Sequence, residues 1–201
     1  MRTRHPCRNR TASLPRRDRP VAARVFWETY ADDTAASDLT AYIGKNFRVA
    51  RQHAEIVDPC GAVFLAVKGQ DGRTILGYAQ LVVEAPCDAP PLLNRLYIER
   101  EFRGTGLAGR LLEEVRSECR RRGAAKLRLT VFEKNTRAIS FYKQSGFAVT
   151  GFTTFRLGYD VQRDIEMATQ LDAAERRHNM DLVAKPADLG RCSHRLIRGG
   201  R

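Results

Sequence analysis

One stretch of the sequence combines an arginine with closely spaced glycines, a combination suited to binding a phosphate. Arg103 precedes the run GTGLAG at residues 104–109. Gly104 and Gly106 have no side chain to block the approach of an anion. A helix beginning here would present N–H groups that lack an intrahelical partner, and its dipole would add positive potential. The spacing therefore predicts an anion site at a helix N-terminus.

A second stretch, NTRAISFYKQSGF at residues 135–147, could supply a proton donor to the same groove. Asn135 is well placed to cap a helix. Tyr142 follows it by two helical turns, so both side chains can share one face. A phenol has a pKa of about 10 and stays protonated at neutral pH. Tyr142 is therefore a candidate general acid, with a core tyrosine on an amphipathic helix as the alternative.

The pattern of apolar and polar residues around these stretches predicts the strands and the helix that position them. Leu92–Ile98 has strand character and leads through a charged turn into the glycine-rich loop. The helix after the loop ends at Gly123 as a left-handed cap. Its apolar face consists of Leu107, Leu111, Leu112, Val115 and Cys119. Lys126–Phe132 reads as the next strand, so the unit is β-α-β and its two strands should pair in parallel.

Turn residues and the alternation of apolar with polar residues predict the remaining helices and strands. Towards the N-terminus we expect a first strand at Val25–Trp27, a helix capped by Ser37 or Asp38, and a helical piece near Val49–Ile56. Next we expect a hairpin of Ala62–Val67 and Thr74–Glu84 around a turn at 69–73, then a loop at 85–91. Two closing strands are expected at Phe147–Phe155 and Val161–Ala168.

GTGLAG also satisfies the G-x-G-x-x-G pattern of dinucleotide-binding units, with Glu133 at the end of the next apolar run. A dinucleotide-dependent oxidoreductase is therefore an alternative. The unit begins near residue 92, however, and only one further helix–strand unit follows it. A full doubly wound sheet does not fit that length, which argues against this alternative.

Arg103, Gly106 and Ala108 also form the pattern R-x-x-G-x-A, and the Asn- and Tyr-containing stretch follows it. In order, spacing and trailing Gly-Phe, the pair resembles the GNAT superfamily of acyl-CoA-dependent N-acetyltransferases. The resemblance covers about residues 24–171. It implies an α/β (α+β) three-layer fold, with a central mixed sheet of six to seven strands flanked by helices. It also implies acetyl-CoA as the co-substrate.

The same resemblance gives roles to individual residues. The pyrophosphate should be held by Arg103 and by the backbone N–H groups of Gly104, Thr105, Gly106, Leu107 and Ala108. The pantetheine arm should run beside the strand residues Leu96, Tyr97 and Ile98. Asn135 should contact the cofactor or hold a splayed strand, with a simple helix cap as the alternative.

Acetyl transfer to an amine also requires two proton transfers. A primary amine with a pKa of about 10.4 is almost fully charged at neutral pH, so a base or a water chain must take its proton. Tyr142 is predicted to protonate the thiolate leaving group. Glu84, at the end of the hairpin strand, is the first candidate base, with an exposed strand-end charge as the alternative.

A narrower resemblance, to bacterial PaiA-type polyamine acetyltransferases, rests on the segments FWETY, AQL, RLYIEREFRGTGLAGRLL and FRLGYDVQRDIEMATQL. The chain departs from that family's pattern at Phe132, Tyr159 and Asp160. The resemblance implies a small polyamine such as spermidine as the acceptor. A polycation needs carboxylates lining its groove. Five acids could supply them if they converge: Glu28, Asp32, Asp33, Glu84 and Asp88.

The net charge of +12 lies mostly at the ends of the chain. Residues 1–24 carry +7, residues 25–169 only +2 and residues 170–201 +3. We therefore expect a basic disordered tail (1–23), one N-acetyltransferase domain (24–171) and a C-terminal tail (172–201) that could form one helix. The alternative from another functional class is a non-catalytic regulator that binds nucleic acid through these tails.

Cysteine usage and hydropathy indicate the compartment. Five scattered cysteines without a C-x-x-C pair suit a reducing environment and argue against a zinc site. No apolar run approaches the length of a membrane span, and no secretory signal is visible. We therefore expect a cytoplasmic enzyme for a small-molecule amine, without a metal or a membrane partner. The oligomeric state stays open, with a homodimer as one expectation.

Overall fold

The computed structural model describes residues 21–68, 74–84, 89–158, 160–171 and 195–198, the last by backbone alone. The helices in these ranges are α1 (Val21–Tyr30), α2 (Ala36–Asn46), α3 (Val49–Val57), α4 (Leu107–Arg121) and α5 (Thr136–Gln144). The strands are β1 (Ala62–Lys68), β2 (Thr74–Val82), β3 (Leu92–Ile98), β4 (Lys126–Phe132), β5 (Ala148–Leu157), β6 (Asp160–Gln170) and β7 (Arg195–Arg198).

The strands form one mixed sheet in the order β5-β6-β4-β3-β2-β1-β7. β3 pairs with β4 in parallel across the α4 crossover, and β1 pairs with β7 in parallel. The other neighbours are antiparallel. The expected mixed sheet flanked by helices is confirmed, as is the β1–β2 hairpin.

The two faces of the sheet bury separate apolar layers, because side chains alternate along a strand. On β1, Phe64 belongs to the layer under α4 and α5, whereas Val63 belongs to the layer under α1 and α2. All five residues predicted for the apolar face of α4 are buried. The helix therefore holds the loop at its N-terminus firmly against the sheet.

The parallel pairing of β3 with β4 is short, and this opens the sheet. The paired residues are Leu92 with Arg128 and Leu93 with Leu129. Beyond Leu93 the two strands diverge. The C-terminal halves of β3 and β4 therefore border a cleft.

A bulge in β3 lies at the point of divergence. Gln80 on β2 is opposite Arg95, while the next residue, Leu81, is opposite Leu93. Asn94 is therefore the extra residue, and its side-chain amide donates to Gln80 Oε1 at 2.9 Å. A bulge bends its strand and increases the local twist, which accounts for the turn of β3 away from β4.

The N-terminal part differs from the expectation. Residues 25–27 do not form a strand but lie in α1, which begins at Val21, inside the expected tail. The buried residues Ala22, Ala23 and Phe26 have helical spacing, but a short β-branched and aromatic run does not separate a strand from a buried helix. The residue preceding α2 is Ala35, so the expected cap at Ser37 or Asp38 is wrong.

The C-terminal part also differs. Residues 195–198, which belong to the expected C-terminal tail, form β7 at the edge of the sheet. Several expectations lie outside the described residues: the basic tail up to residue 20, the turn at 69–73, most of the loop before β3, and the helix that the C-terminal tail could form, near residues 173–183. Nucleic-acid binding by the tail and homodimer formation therefore stay predictions.

Candidate active site

A cavity of about 500 Å³ occupies the opening between β3 and β4. Most of its lining comes from three regions: β3 with the loop before α4, the end of β4 with α5, and the helices α1 and α2. Arg51 of α3 and Phe155 of β5 line it too. Asp164 on β6 lines it as well. The divergence of the strands thus brings both sequence motifs to one space.

One end of the cavity is the N-terminus of α4. Gly106 is the N-cap with a φ of 79°, no side chain caps the helix, and its first turn contains no acid. Gly104 also has a positive φ, 81°. A Cβ built on either glycine would meet no atom within 4 Å. The helix dipole and its unpaired N–H groups make this open end suitable for an anion.

Two arginines flank this end. Arg103 donates from Nη2 to Glu28 Oε2 at 2.8 Å and from Nε to the Ile98 carbonyl at 3.3 Å. Arg137 on α5, which sequence reasoning missed although it lies in the second motif, also lines the cavity. Burial, and then the charge of Arg103, lowers the pKa of Arg137. A bound anion would stabilise its charged form.

β3 provides a wall of backbone. Leu96, Tyr97 and Ile98 all line the cavity. They pair with β2 on one edge, whereas β4 has already left the other edge. Within the described residues the outer edge of this segment therefore has no strand partner, and its backbone groups can bind an extended ligand.

α5 places Tyr142 and Asn135 beside the same cavity. The Tyr142 ring packs against Phe141 and Phe147, with centroid distances of 5.3 and 5.6 Å. Burial raises the pKa of this phenol, so Tyr142 stays protonated at physiological pH. Asn135 Oδ1 accepts a hydrogen bond from the Ala138 N–H at 3.2 Å, which is the expected helix cap.

Asp164 is a candidate that sequence reasoning missed. Its side chain is buried, and Oδ1 has no hydrogen-bond partner among the described residues. Burial, together with the charge of Glu133, raises the pKa of Asp164 to about 6. A carboxyl group with this pKa can exchange protons near neutral pH. No local sequence pattern identifies it, although in the structure it shares the buried face of β6 with Gln162.

Aromatic rings surround the part of the cavity near Asp164. The Tyr30 ring lies 5.2 Å from Phe132 and 6.2 Å from Phe155 between centroids. Tyr42 lies 5.5 Å from Phe155. Burial, and then the charge of Asp164, raises the pKa of Tyr30. This end of the cavity therefore combines aromatic surface with one acidic group.

Three predicted site residues do not line the cavity. Glu84 lies exposed after β2, where its carboxylate pairs with Arg128 Nη2 at 2.5 Å. The Thr105 hydroxyl donates to the Phe102 carbonyl at 2.8 Å, and the Leu107 side chain is part of the core. The structure thus does not bring Glu84 to a position where it could act as the base.

Comparison with known proteins agrees with this geometry. The sequence model of the Acetyltransferase (GNAT) family matches residues 25–147, which include the glycine-rich loop and the α5 motif. The chain belongs to the GNAT family. The dinucleotide-dependent oxidoreductase alternative is therefore wrong.

Relatives of this GNAT protein match about three quarters of the chain. An uncharacterized N-acetyltransferase of Mycobacterium tuberculosis is 34% identical over 151 residues, which cover 75% of this chain and 94% of that relative. The PaiA N-acetyltransferase of Thermoplasma acidophilum, solved in complex with coenzyme A, is 23% identical with a TM-score of 0.61. That match covers 75% of this chain and 88% of the other and shows a shared fold.

As a GNAT acyltransferase, the protein uses acetyl-CoA as its acetyl donor. The uncapped α4 N-terminus, Arg103 and Arg137, and the open edge of β3 fit the phosphates and the extended arm of that molecule. Within the described ranges, no group of three or more His, Cys, Asp or Glu residues could hold a metal ion. No helix in these ranges is long and apolar enough to cross a membrane.

Proposed function

We propose that the protein transfers an acetyl group to a primary amine by direct attack within a ternary complex. The observation that carries this proposal is the convergence of the open α4 N-terminus, the free edge of β3 and Tyr142 on one cavity. Acetyl-CoA supplies the activated acetyl thioester. Turnover of acetyl-CoA with a panel of primary amines tests the proposal directly.

Different residues around the cavity have different roles in the reaction. Arg103 and Arg137 bind phosphate groups together with the N–H groups at the start of α4. The β3 backbone orients the extended arm, and one of its N–H groups can polarise the acetyl carbonyl. Tyr142 gives its proton to the sulfur that leaves.

A polyamine is one acceptor class, supported by the PaiA-type resemblance near both ends of the domain. The acids that could have lined its groove do not converge, however. Three of them are paired with cations: Glu28 with Arg103, Asp33 with Lys134, and Glu84 with Arg128. Asp32 is exposed away from the cavity, and Asp88 lies outside the described residues. The observed lining instead favours an acceptor that presents one ammonium group.

Spermidine is therefore expected to be at most about tenfold better than n-octylamine in kcat/KM, because tenfold corresponds to about 1.4 kcal/mol of discrimination. Only one carboxylate among the described lining residues, Asp164, is available to hold an ammonium group. Steady-state kinetics at saturating acetyl-CoA measure the ratio. A preference for spermidine above about a hundredfold would show that its further charges are recognised and would restore the polyamine assignment.

Acetyl-CoA is expected to raise the melting temperature, because a ligand at 100 times its Kd stabilises the native state by about 2.7 kcal/mol. Arg103→Ala should weaken acetyl-CoA binding about tenfold or more, since it removes a charge-assisted hydrogen bond to phosphate. Glu28→Gln should not weaken it, because it releases the Arg103 guanidinium from its ion pair. Thermal shift titrations measure both effects.

Arg128→Ala is the matched control for these titrations, because Arg128 lies outside the cavity. NADP should produce no shift. Stabilisation by NADP without stabilisation by acetyl-CoA would contradict the assignment of the phosphate end.

A further inference from the structure

Among the described residues that line the cavity, one is a carboxylate: Asp164, at the aromatic end formed by Tyr30, Phe132 and Phe155. We call this the acceptor end. The Oδ1 atom of Asp164 is buried and has no hydrogen-bond partner among the described residues. A buried polar atom without a partner is costly and unusual. Because this atom belongs to a residue that lines the cavity, a ligand group entering the cavity can supply the missing hydrogen bond.

We propose that Asp164 binds the ammonium group of the acceptor and accepts its proton. This inference rests on the proposed acetyl transfer and supplies the base that Glu84 does not. It also defines the acceptor as an amine with one ammonium group on an apolar or aromatic body.

The walls around Asp164 suit such a group. The faces of aromatic rings attract cations, and the rings of Tyr30, Phe132 and Phe155 form one cluster here. The same rings offer apolar contact to the carbon chain of an amine. Arg95 and Arg51 also line the cavity and share one carboxylate, Glu55, which is not part of the lining. The net positive charge of this group would repel a second ammonium group.

The pairing of β6 with a strand on each side fixes the position of Asp164. Its backbone is opposite Phe132 of β4 and Thr153 of β5, so it lies inside the sheet and not at an edge. Two residues earlier, the Gln162 side chain donates to Thr34 Oγ1 at 2.7 Å. This bond ties β6 to the segment between α1 and α2. A carboxylate on such a rigid support can define where the nitrogen lies.

The proton balance is complete without a further reactant. The ammonium group loses one proton to Asp164, which frees the nitrogen lone pair to form the bond to the acetyl carbon. As the carbon–sulfur bond breaks, the sulfur takes the proton of Tyr142. The nitrogen gives up a second proton, which returns through solvent to the Tyr142 phenolate and restores the phenol. The proton on Asp164 passes to solvent, so an amide and a thiol are formed with one proton released.

The charged and titratable groups acting on Asp164 come from three elements. They are Glu133 after β4, Tyr30 on α1 and Tyr42 on α2. Both tyrosines are neutral near physiological pH because burial raises their pKa values. Glu133 raises the pKa of Asp164. Since Asp164 must be ionised to accept a proton, kcat/KM should fall as the pH drops below about 6.

The test compares wild type with Asp164→Asn from about pH 5 to about pH 10, using n-butylamine, phenethylamine and spermidine as acceptors. We expect kcat/KM of the variant to fall at least about 100-fold near neutral pH. The inflection near pH 6 should disappear, and the rate should climb towards the pKa of the free amine. Acetyl-CoA should still stabilise the variant, because Asp164 is on β6, which β4 separates from β3 and the loop before α4.

Glu166→Gln is the matched control, since it makes the same carboxylate-to-amide change on the same strand outside the cavity. Glu133→Gln gives a second readout: it keeps Asp164 but should move the acid inflection to lower pH, because the repelling charge is gone. Near-wild-type turnover with an unchanged pH profile in Asp164→Asn would overturn the proposal, as would an unmoved inflection in Glu133→Gln. Loss of acetyl-CoA stabilisation in Asp164→Asn would reveal a structural role instead.

The failure of the proposed function is distinguishable from the failure of this inference. If the wild-type protein acetylates none of the amines, acetyl transfer to primary amines is wrong and Asp164 loses its role with it. If wild type transfers acetyl groups and the variant does so equally well, the reaction stands and only the assignment of Asp164 falls.

Discussion

Tyr142→Phe is expected to lower kcat by about 10²–10⁴-fold, the range typical for losing a positioned general acid. The ring is buried between Phe141 and Phe147 and would keep both contacts. The substitution removes only the hydroxyl, so the fold and the affinity for acetyl-CoA should change little. Steady-state turnover together with a thermal shift titration separates these quantities.

Tyr78→Phe is the matched control for that experiment. Tyr78 is another buried phenol, but it lies on β2 outside the cavity, where its hydroxyl interacts with Arg95. Its loss should affect stability and leave the chemistry intact. Wild-type turnover in Tyr142→Phe would mean that water protonates the sulfur and that Tyr142 is a core residue.

Gly77→Ala is expected to destabilise the protein by about 1–3 kcal/mol or more, the usual cost of overpacking. Gly77 on β2 is opposite Ile98 on β3. An added Cβ would lie 2.6 Å from the Tyr97 carbonyl oxygen and 2.7 Å from Ile98 Cδ1. The carbonyl belongs to a paired strand and cannot rotate away, so β3 itself must move. Urea unfolding measures the loss.

The same change should weaken acetyl-CoA binding, because Tyr97 and Ile98 also form the cavity wall. Gly44→Ala in the last turn of α2 is the control: a Cβ there would meet nothing within 4 Å. Alanine is favoured over glycine within a helix by up to about 1 kcal/mol, so this variant should not lose stability. Equal stability of Gly77→Ala and wild type would show that β3 can shift at no cost.

The end of the cavity at the start of α4 was predictable because it depends on neighbours in sequence. The apolar spacing of α4 and the glycines before it are local patterns. They predict a helix start, its buried face and its anion site without knowledge of the rest of the fold. Arg137 could also have been predicted from the sequence, since it lies two residues after Asn135 in the second motif.

The end of the cavity that contains Asp164 was not predictable in the same way. Asp164 lies in the run RDIEM, where charged residues alternate with apolar ones and no local pattern identifies the buried acid. Its burial depends on pairing with β4 and β5 and on the helices α1 and α2, which are distant in sequence. From the sequence Glu84 was the first candidate for the base, but β2 ends at Val82 and leaves Glu84 at the surface.

An ionisable acid buried among aromatic rings serves the proposed reaction but lowers the stability of the folded protein. The pKa of Asp164 is about 6 in the folded protein against an ordinary value of 3.8. Its ionised form therefore costs on the order of 3 kcal/mol above that pH, a cost that fades as acidification protonates it. That is a large share of the roughly 5–15 kcal/mol that stabilise a domain. Selection for heat resistance alone would favour a neutral residue at this position, and under the role proposed above for Asp164 the gain in stability would come with a loss of turnover.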